Sequence, residues 1–159
     1  MQELTVVGVR LELPTNQPIV LLKQTDGERY LPIWIGAVEA TAIAFAHQGF
    51  ETPRPMTHDL FRDVVLALGR RLERVNITEY RDGVFFATLV FDGGVEVSAR
   101  PSDGIALALR LEVPVFSEEA VLAEAGIEVP EEAASQDSEV ERFREFLDTV
   151  TPEDFDTTG

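Results

Sequence analysis

The sequence predicts an α+β fold, a closed or nearly closed sheet made of two three-stranded halves and covered by helices. Two observations carry this. Strand-like and helix-like segments come in separate runs rather than in strict alternation, which disfavours a parallel α/β sheet. The order strand, strand, strand, helix, helix also occurs twice, and the match extends to residues. Sliding the chain by 64 positions lays "IGAVEATAIAFA" on "ARPSDGIALALR", with Glu39 on Asp103 and Ala42 and Ala44 on Ala106 and Ala108.

The elements follow in order. "LTVVGVRLEL" (4–13) is rich in β-branched residues and reads as a strand. After a loop at 14–18, "IVLLKQ" and "RYLPIWI" read as a hairpin. Asp26-Gly27 is its expected turn, because that dipeptide accepts positive φ. Trp34, between Ile33 and Ile35, reads as a packed side chain. "GAVEATAIAFAHQG" (36–49) reads as an alanine-rich helix ended by Gly49, and "MTHDLFRDVVLALGR" (56–70) as a second helix. Leu60, Val64 and Leu68 recur there at i, i+4 and i+8. In the second half, "LERVNITEY", "VFFATLVF" and "VEVSA" are strands with Asp-Gly turns at 82–83 and 92–93. "RPSDGIALALRLE" and "SEEAVLAEAG" (117–126) are helices. The predicted domain spans 1–129, followed over 130–159 by a linker, a short amphipathic helix at 138–150 and a frayed end.

Composition narrows the class. The 159 residues are 45% apolar, include no cysteine and carry a net charge of −16. Disulfides, thiolate metal sites and thiol catalysis are thereby excluded. No apolar run reaches membrane-spanning length and no signal peptide is evident, so a cytoplasmic protein with no membrane partner is expected. Residues 1–110 hold 11 basic and 14 acidic side chains; residues 111–159 hold 2 basic and 15 acidic. The acid is concentrated in the tail, which reads as solubilising or as a tethered competitor for anion sites. The densest basic cluster is "GRRLER" (69–74).

Two strand-to-helix junctions carry the candidate chemistry: "RPMTHDL" (54–60) and "ARPSDGIALALR" (99–110). Each is also a well-formed helix start. Pro55 and Pro101 suit a first turn, Ser102 can cap, and Asp59 and Asp103 complement the positive helix end. Capping does not account for Arg54 and Arg100, since a cation at a helix N-terminus is unfavourable unless something negative is near. A carboxylate or a bound phosphate would serve. His58, in a first turn, can move protons near neutral pH. Glu39 and Asp103 are repeat-equivalent, and as a carboxylate pair would suit a divalent cation such as Mg or Mn or share acid and base roles.

"LPIWIGAVEATAIA" (31–44), "RPMTHDL" (54–60), "SARPSDGIALALR" (98–110) and "VPVFSEEAVLAEAG" (113–126) together resemble the bifunctional nuclease domain family over about residues 3–126. The resemblance implies a duplicated β3α2 unit forming a single barrel-like, mostly antiparallel sheet. It also implies cleavage of DNA or RNA. Gly104 stands where alanine is expected in the family, and a helix-interior glycine costs about 1 kcal/mol relative to alanine. The expected activity is phosphodiester hydrolysis. His58, Asp59, Glu39 and Asp103 are the candidate catalytic groups, and Arg54, Arg100 and Ser102 the candidate phosphate ligands. The alternative is a non-catalytic regulatory or protein-interaction module whose acidic tail docks a partner. Apolar helices such as "AIAFA" and "IALALRL" point to a homo-oligomer in either case.

Overall fold

The computed structural model describes residues 1–128. The linker, acidic helix and tail expected over 130–159, and the boundary after 129, lie outside the described residues. Three strands, β1 (Gln2–Glu12), β2 (Gln17–Gln24) and β3 (Arg29–Trp34), form an antiparallel meander and lead into helices α1 (Ala37–Gln48) and α2 (Thr57–Ala67). A second meander, β4 (Leu72–Arg81), β5 (Val84–Phe91) and β6 (Glu96–Ala99), leads into α3 (Pro101–Leu111). A short strand β7 (Val115–Ser117), helix α4 (Glu119–Ala125) and the two-residue β8 (Ile127–Glu128) complete the described chain.

The α+β class holds and the sheet is mostly antiparallel, with β4 and β7 parallel, but it is not closed into a barrel. Its order is β6-β5-β4-β7-β1-β2-β3-β8. Strand β7 sits between the two meanders, antiparallel to β1 (Leu4 opposite Val115) and parallel to β4 (Val75 opposite Val115). This joins the first strands of the meanders and sends their third strands, β3 and β6, toward opposite ends. Each of those strands then runs directly into a helix, α1 or α3, and the two helices pack on one another. Helix packing takes the place of the strand pairing that a barrel would need. Among the described residues no pairing joins β6 to β8.

The core draws on both meanders and on the helices: Leu22, Leu31, Ile77, Ile43 of α1, Ile105 of α3 and Leu122 of α4 are all fully buried. Helix α2 corrects a reading of the sequence. Leu60, Val64 and Leu68, the period-3.6 stripe, are 53%, 47% and 72% exposed, while Val65 is buried. The inward face instead runs through His58, Arg62 and Val65, because polar contacts to α3 fix the orientation of α2. Trp34 is also not packed: it is 54% exposed. Strand alternation places it opposite the buried Ile33 and Ile35, on a face that is a solvent groove.

Turn chemistry was read correctly at Asp82-Gly83, where φ is 53° and 76° and two residues close the β4–β5 hairpin. It was not at Asp26-Gly27, where neither residue has positive φ. There Gln24 closes a longer link by accepting hydrogen bonds from the Arg29 backbone N–H (3.2 Å) and Nε (3.0 Å). At 92–94 the Asp92 carboxylate accepts from the Arg71 backbone N–H at 3.0 Å and from Arg70 Nε at 3.2 Å. Part of the "GRRLER" cluster therefore braces a turn.

Gly104 marks the closest approach of α3 to the sheet. A Cβ there would lie 2.7 Å from Val75 Cγ1 and 3.6 Å from Leu89 Cδ2. The conformational cost of a helical glycine is thus offset by packing that alanine would obstruct. We expect Gly104→Ala to lower stability by about 1–3 kcal/mol, as overpacking does, despite alanine's better helix propensity. The double variant G104A/V75A should lose less than the sum of the two single changes in urea unfolding. A stabilised G104A would refute the close-approach account.

Candidate active site

The starts of α1, α2 and α3 converge on one groove of about 620 Å³. Its polar side is formed by Glu39, His58, Arg100 and Asp103, and its apolar side includes Val38, Met56, Phe61 and Val97. Pro101 occupies the first position of α3, as expected, and Arg100 precedes it as the N-cap. Neither α2 nor α3 has a side-chain cap from Thr57 or Ser102. At α2 the Asp59 carboxylate instead accepts the Met56 backbone N–H at 3.0 Å.

The four polar side chains form one network. Arg100 donates from Nε to Asp103 Oδ2 (2.8 Å) and from Nη2 to Oδ1 (3.1 Å). Its Nη1 donates to Glu39 Oε1 at 2.8 Å. His58 Nε2 lies 2.9 Å from Asp103 Oδ1. Glu39 and Asp103 therefore meet on one guanidinium. That contact resolves the electrostatic oddity of an arginine at a helix start: the cation is held by two anions. A guanidinium has five N–H donors, and three are engaged here. With the Arg100 side chain 63% exposed, two remain for a ligand.

Each carboxyl is held below its usual range. For Asp103, burial raises the pKa, but hydrogen bonds from Arg100 and then His58 outweigh it. For Glu39, the first cause is its own backbone N–H at the start of α1, followed by Arg100. Gly36 makes that geometry possible: the Glu39 carboxylate folds back into space that a Cβ on residue 36 would fill. The part of Gly36 in the site was not read from the sequence. In the neutral form of His58, Nε2 donates to the Asp103 carboxylate and Nδ1 is left as a base.

The other candidates lie elsewhere. Asp59 does not line this groove. It pairs with Arg110 of α3, whose Nε donates to Oδ1 at 2.7 Å and whose Nη1 donates to the Ala106 carbonyl at 2.9 Å. Arg110 is 5% exposed, so this pair braces α2 against α3. Arg54 is exposed and does not line the groove. Ser102 is buried beside a second groove of about 390 Å³, which shares Glu39 and Arg100 with the first.

The family model of the bifunctional nuclease domain matches residues 20–130. The chain belongs to the bifunctional nuclease domain family. An uncharacterised protein of Mycobacterium tuberculosis strain H37Rv is 54% identical over 99% of this chain and all of its own length. Bifunctional nuclease 1 of Oryza sativa subsp. indica and the bifunctional nuclease of Oryza minuta are each 23% identical over 80% of this chain. The match spans 41% of either rice protein. No helix among the described residues is long and apolar enough to cross a membrane.

The Asp59–Arg110 brace has a pH signature. Burial raises the Asp59 pKa, but the Arg110 hydrogen bond and the Met56 N–H bring it below the usual 3.8. A depressed carboxyl stabilises the fold fully above its unfolded value, and that contribution is lost as pH falls through the folded value. Asp59→Asn should cost about 2 kcal/mol at pH 7, less than the roughly 3–5 kcal/mol for breaking a fully buried pair. The gap to wild type should close as pH falls below 3.8 toward the lowered value. Melting curves with no gap at pH 7, or with a gap independent of pH, would remove the brace.

Proposed function

We propose that this chain hydrolyses phosphodiester bonds of DNA or RNA in the first groove. The observation that carries the reading is the His58–Asp103–Arg100–Glu39 network, which opens on that groove in a member of a nuclease domain family. His58 Nδ1 takes a proton from water, and the resulting hydroxide attacks phosphorus. Asp103 holds the imidazole in one tautomer and stabilises the imidazolium that forms. As the P–O bond breaks the departing oxygen takes a proton from solvent water on the opposite side of phosphorus, and the imidazolium later releases its proton to solvent. The two unused N–H groups of Arg100 bind non-bridging oxygens, where negative charge accumulates. Glu39 orients Arg100. Arg54 is a candidate for phosphate farther along the strand, and Asp59 acts by fixing the helix that carries His58.

The donor set does not form a ready site for Mg²⁺ or Mn²⁺. No three His, Asp or Glu among the described residues converge on a metal-sized point. Glu39 and Asp103 direct their oxygens to Arg100 instead.

His58→Ala and Asp103→Asn should each leave the circular dichroism spectrum intact and lower cleavage at least tenfold, about 1.4 kcal/mol of transition-state stabilisation. Cleavage must co-elute with the protein. Equal activity in wild type and both variants would mark a contaminating nuclease and end this reading.

We also propose that the chain self-associates through the outer face of α2, where Leu60, Val64 and, at the C-cap, Leu68 stand exposed. Light scattering at high micromolar concentration should give a multiple of the monomer mass, and Val64→Glu should reduce it. A monomer mass for the wild type would refute the contact.

A further inference from the structure

The second groove contains three features that the catalytic network does not use. Trp34 lines it and is 54% exposed, beside an equally open Val84 at 53%. Ser102 lines it as well, is only 7% exposed, and its hydroxyl has no hydrogen-bond partner among the described residues. Pro101 opens α3 in the same groove, so the next backbone N–H groups, at Ser102 and Asp103, are those at the positive end of an 11-residue helix. Arg100 stands on the boundary, lining both grooves with two N–H groups to spare.

Ser102 is nearly enclosed as a residue, lines the groove and spends its hydroxyl on no other described side chain, so that hydroxyl is free for a polar ligand. A helix start and a guanidinium specify that this ligand be anionic. An indole exposed beside an anion site suits a flat, uncharged ring joined to the anion. A nucleotide has that combination, and aromatic stacking of its base is sequence-tolerant. The base must leave its duplex neighbours to reach the indole, so the occupant is single-stranded.

Resting on the nuclease reading, we propose that the second groove is a nucleotide subsite for single-stranded DNA or RNA. Trp34 stacks the base of the nucleotide next to the scissile phosphate, and Ser102 with the start of α3 binds that nucleotide's own phosphate. The strand crosses Arg100 from one groove to the other. The protein then prefers single strands to duplex.

Trp34 is the sole tryptophan of the chain, so its fluorescence reports on this groove alone. The test titrates full-length protein with a fluorescein-labelled, cleavage-resistant phosphorothioate octathymidylate and with a duplex of the same length. Label anisotropy gives binding, and unlabelled strands give the Trp34 emission. Single strands should quench Trp34 in step with binding. Trp34→Ala should weaken single-strand binding about tenfold with little change for duplex, Trp34→Phe should restore most of it, and Ser102→Ala should weaken it severalfold with quenching retained. Binding without quenching, together with unchanged affinity in W34A, overturns the subsite and leaves the nuclease reading intact. Absence of both binding and cleavage overturns both. Emission that shifts with protein concentration alone, with no oligonucleotide effect, shows a second copy on Trp34 and overturns the subsite.

Discussion

Helix α3 can lie against β4 because residue 104 has no side chain, and the remainder of the site depends on that approach. With Gly104 over Val75, the helix is buried from Gly104 to Ala108 and its first turn projects at the edge of the core. Arg100, Ser102 and Asp103 are placed there by a rigid element rather than by a loop. Helices α1 and α2 then dock on α3 through ion pairs, Glu39 to Arg100 and Asp59 to Arg110, so their positions follow from its own. A helix set farther from the sheet would move all of these contacts together.

The charges differ in role although they lie close in sequence. Asp59 and His58 are adjacent, yet one faces Arg110 in a brace and the other faces Asp103 in the groove. Arg110 is nearly enclosed and its pair is screened little by salt, whereas Arg100 is open on one side and can exchange water for a ligand. Asp103 is the hub: its two oxygens accept from both Arg100 and His58, so its ionised state sets the tautomer of the imidazole and the direction of the guanidinium.

Much of this was legible in the sequence where the determinant is local. Asp82-Gly83 fixed a hairpin because both residues tolerate positive φ, and Gly49 ended α1 in the left-handed region for the same reason. The 64-residue offset led to the expectation that Glu39 and Asp103 approach one another, and both bind Arg100. What failed depended on partners distant in the chain. The apolar stripe of α2 resembled a core face, but two polar contacts to α3 turned it outward. Trp34 has the size of a core residue, and only the placement of the β4–β5 hairpin shows that its side of the strand is open. Arg54 and Arg100 precede proline alike, yet only Arg100 has carboxylates within reach. A closed or nearly closed sheet was expected from two three-stranded halves; Val115–Ser117 joins the halves at their first strands, and the sheet stays open between β6 and β8.

Strand β7 also sets an order of assembly. The meanders are neighbours in the sheet only through it, with Gln2 opposite Ser117 and Ile77 opposite that same residue. Each meander can form from near-neighbour contacts, but their union must await residues that emerge from the ribosome after α3. Until then β1 and β4 each present an unpaired edge to solvent, the condition that favours strand addition from another chain. The last-made strand is therefore both the seam of the sheet and its protection during synthesis, and the interval before it arrives is the period in which a nascent chain of this kind is most exposed to aggregation.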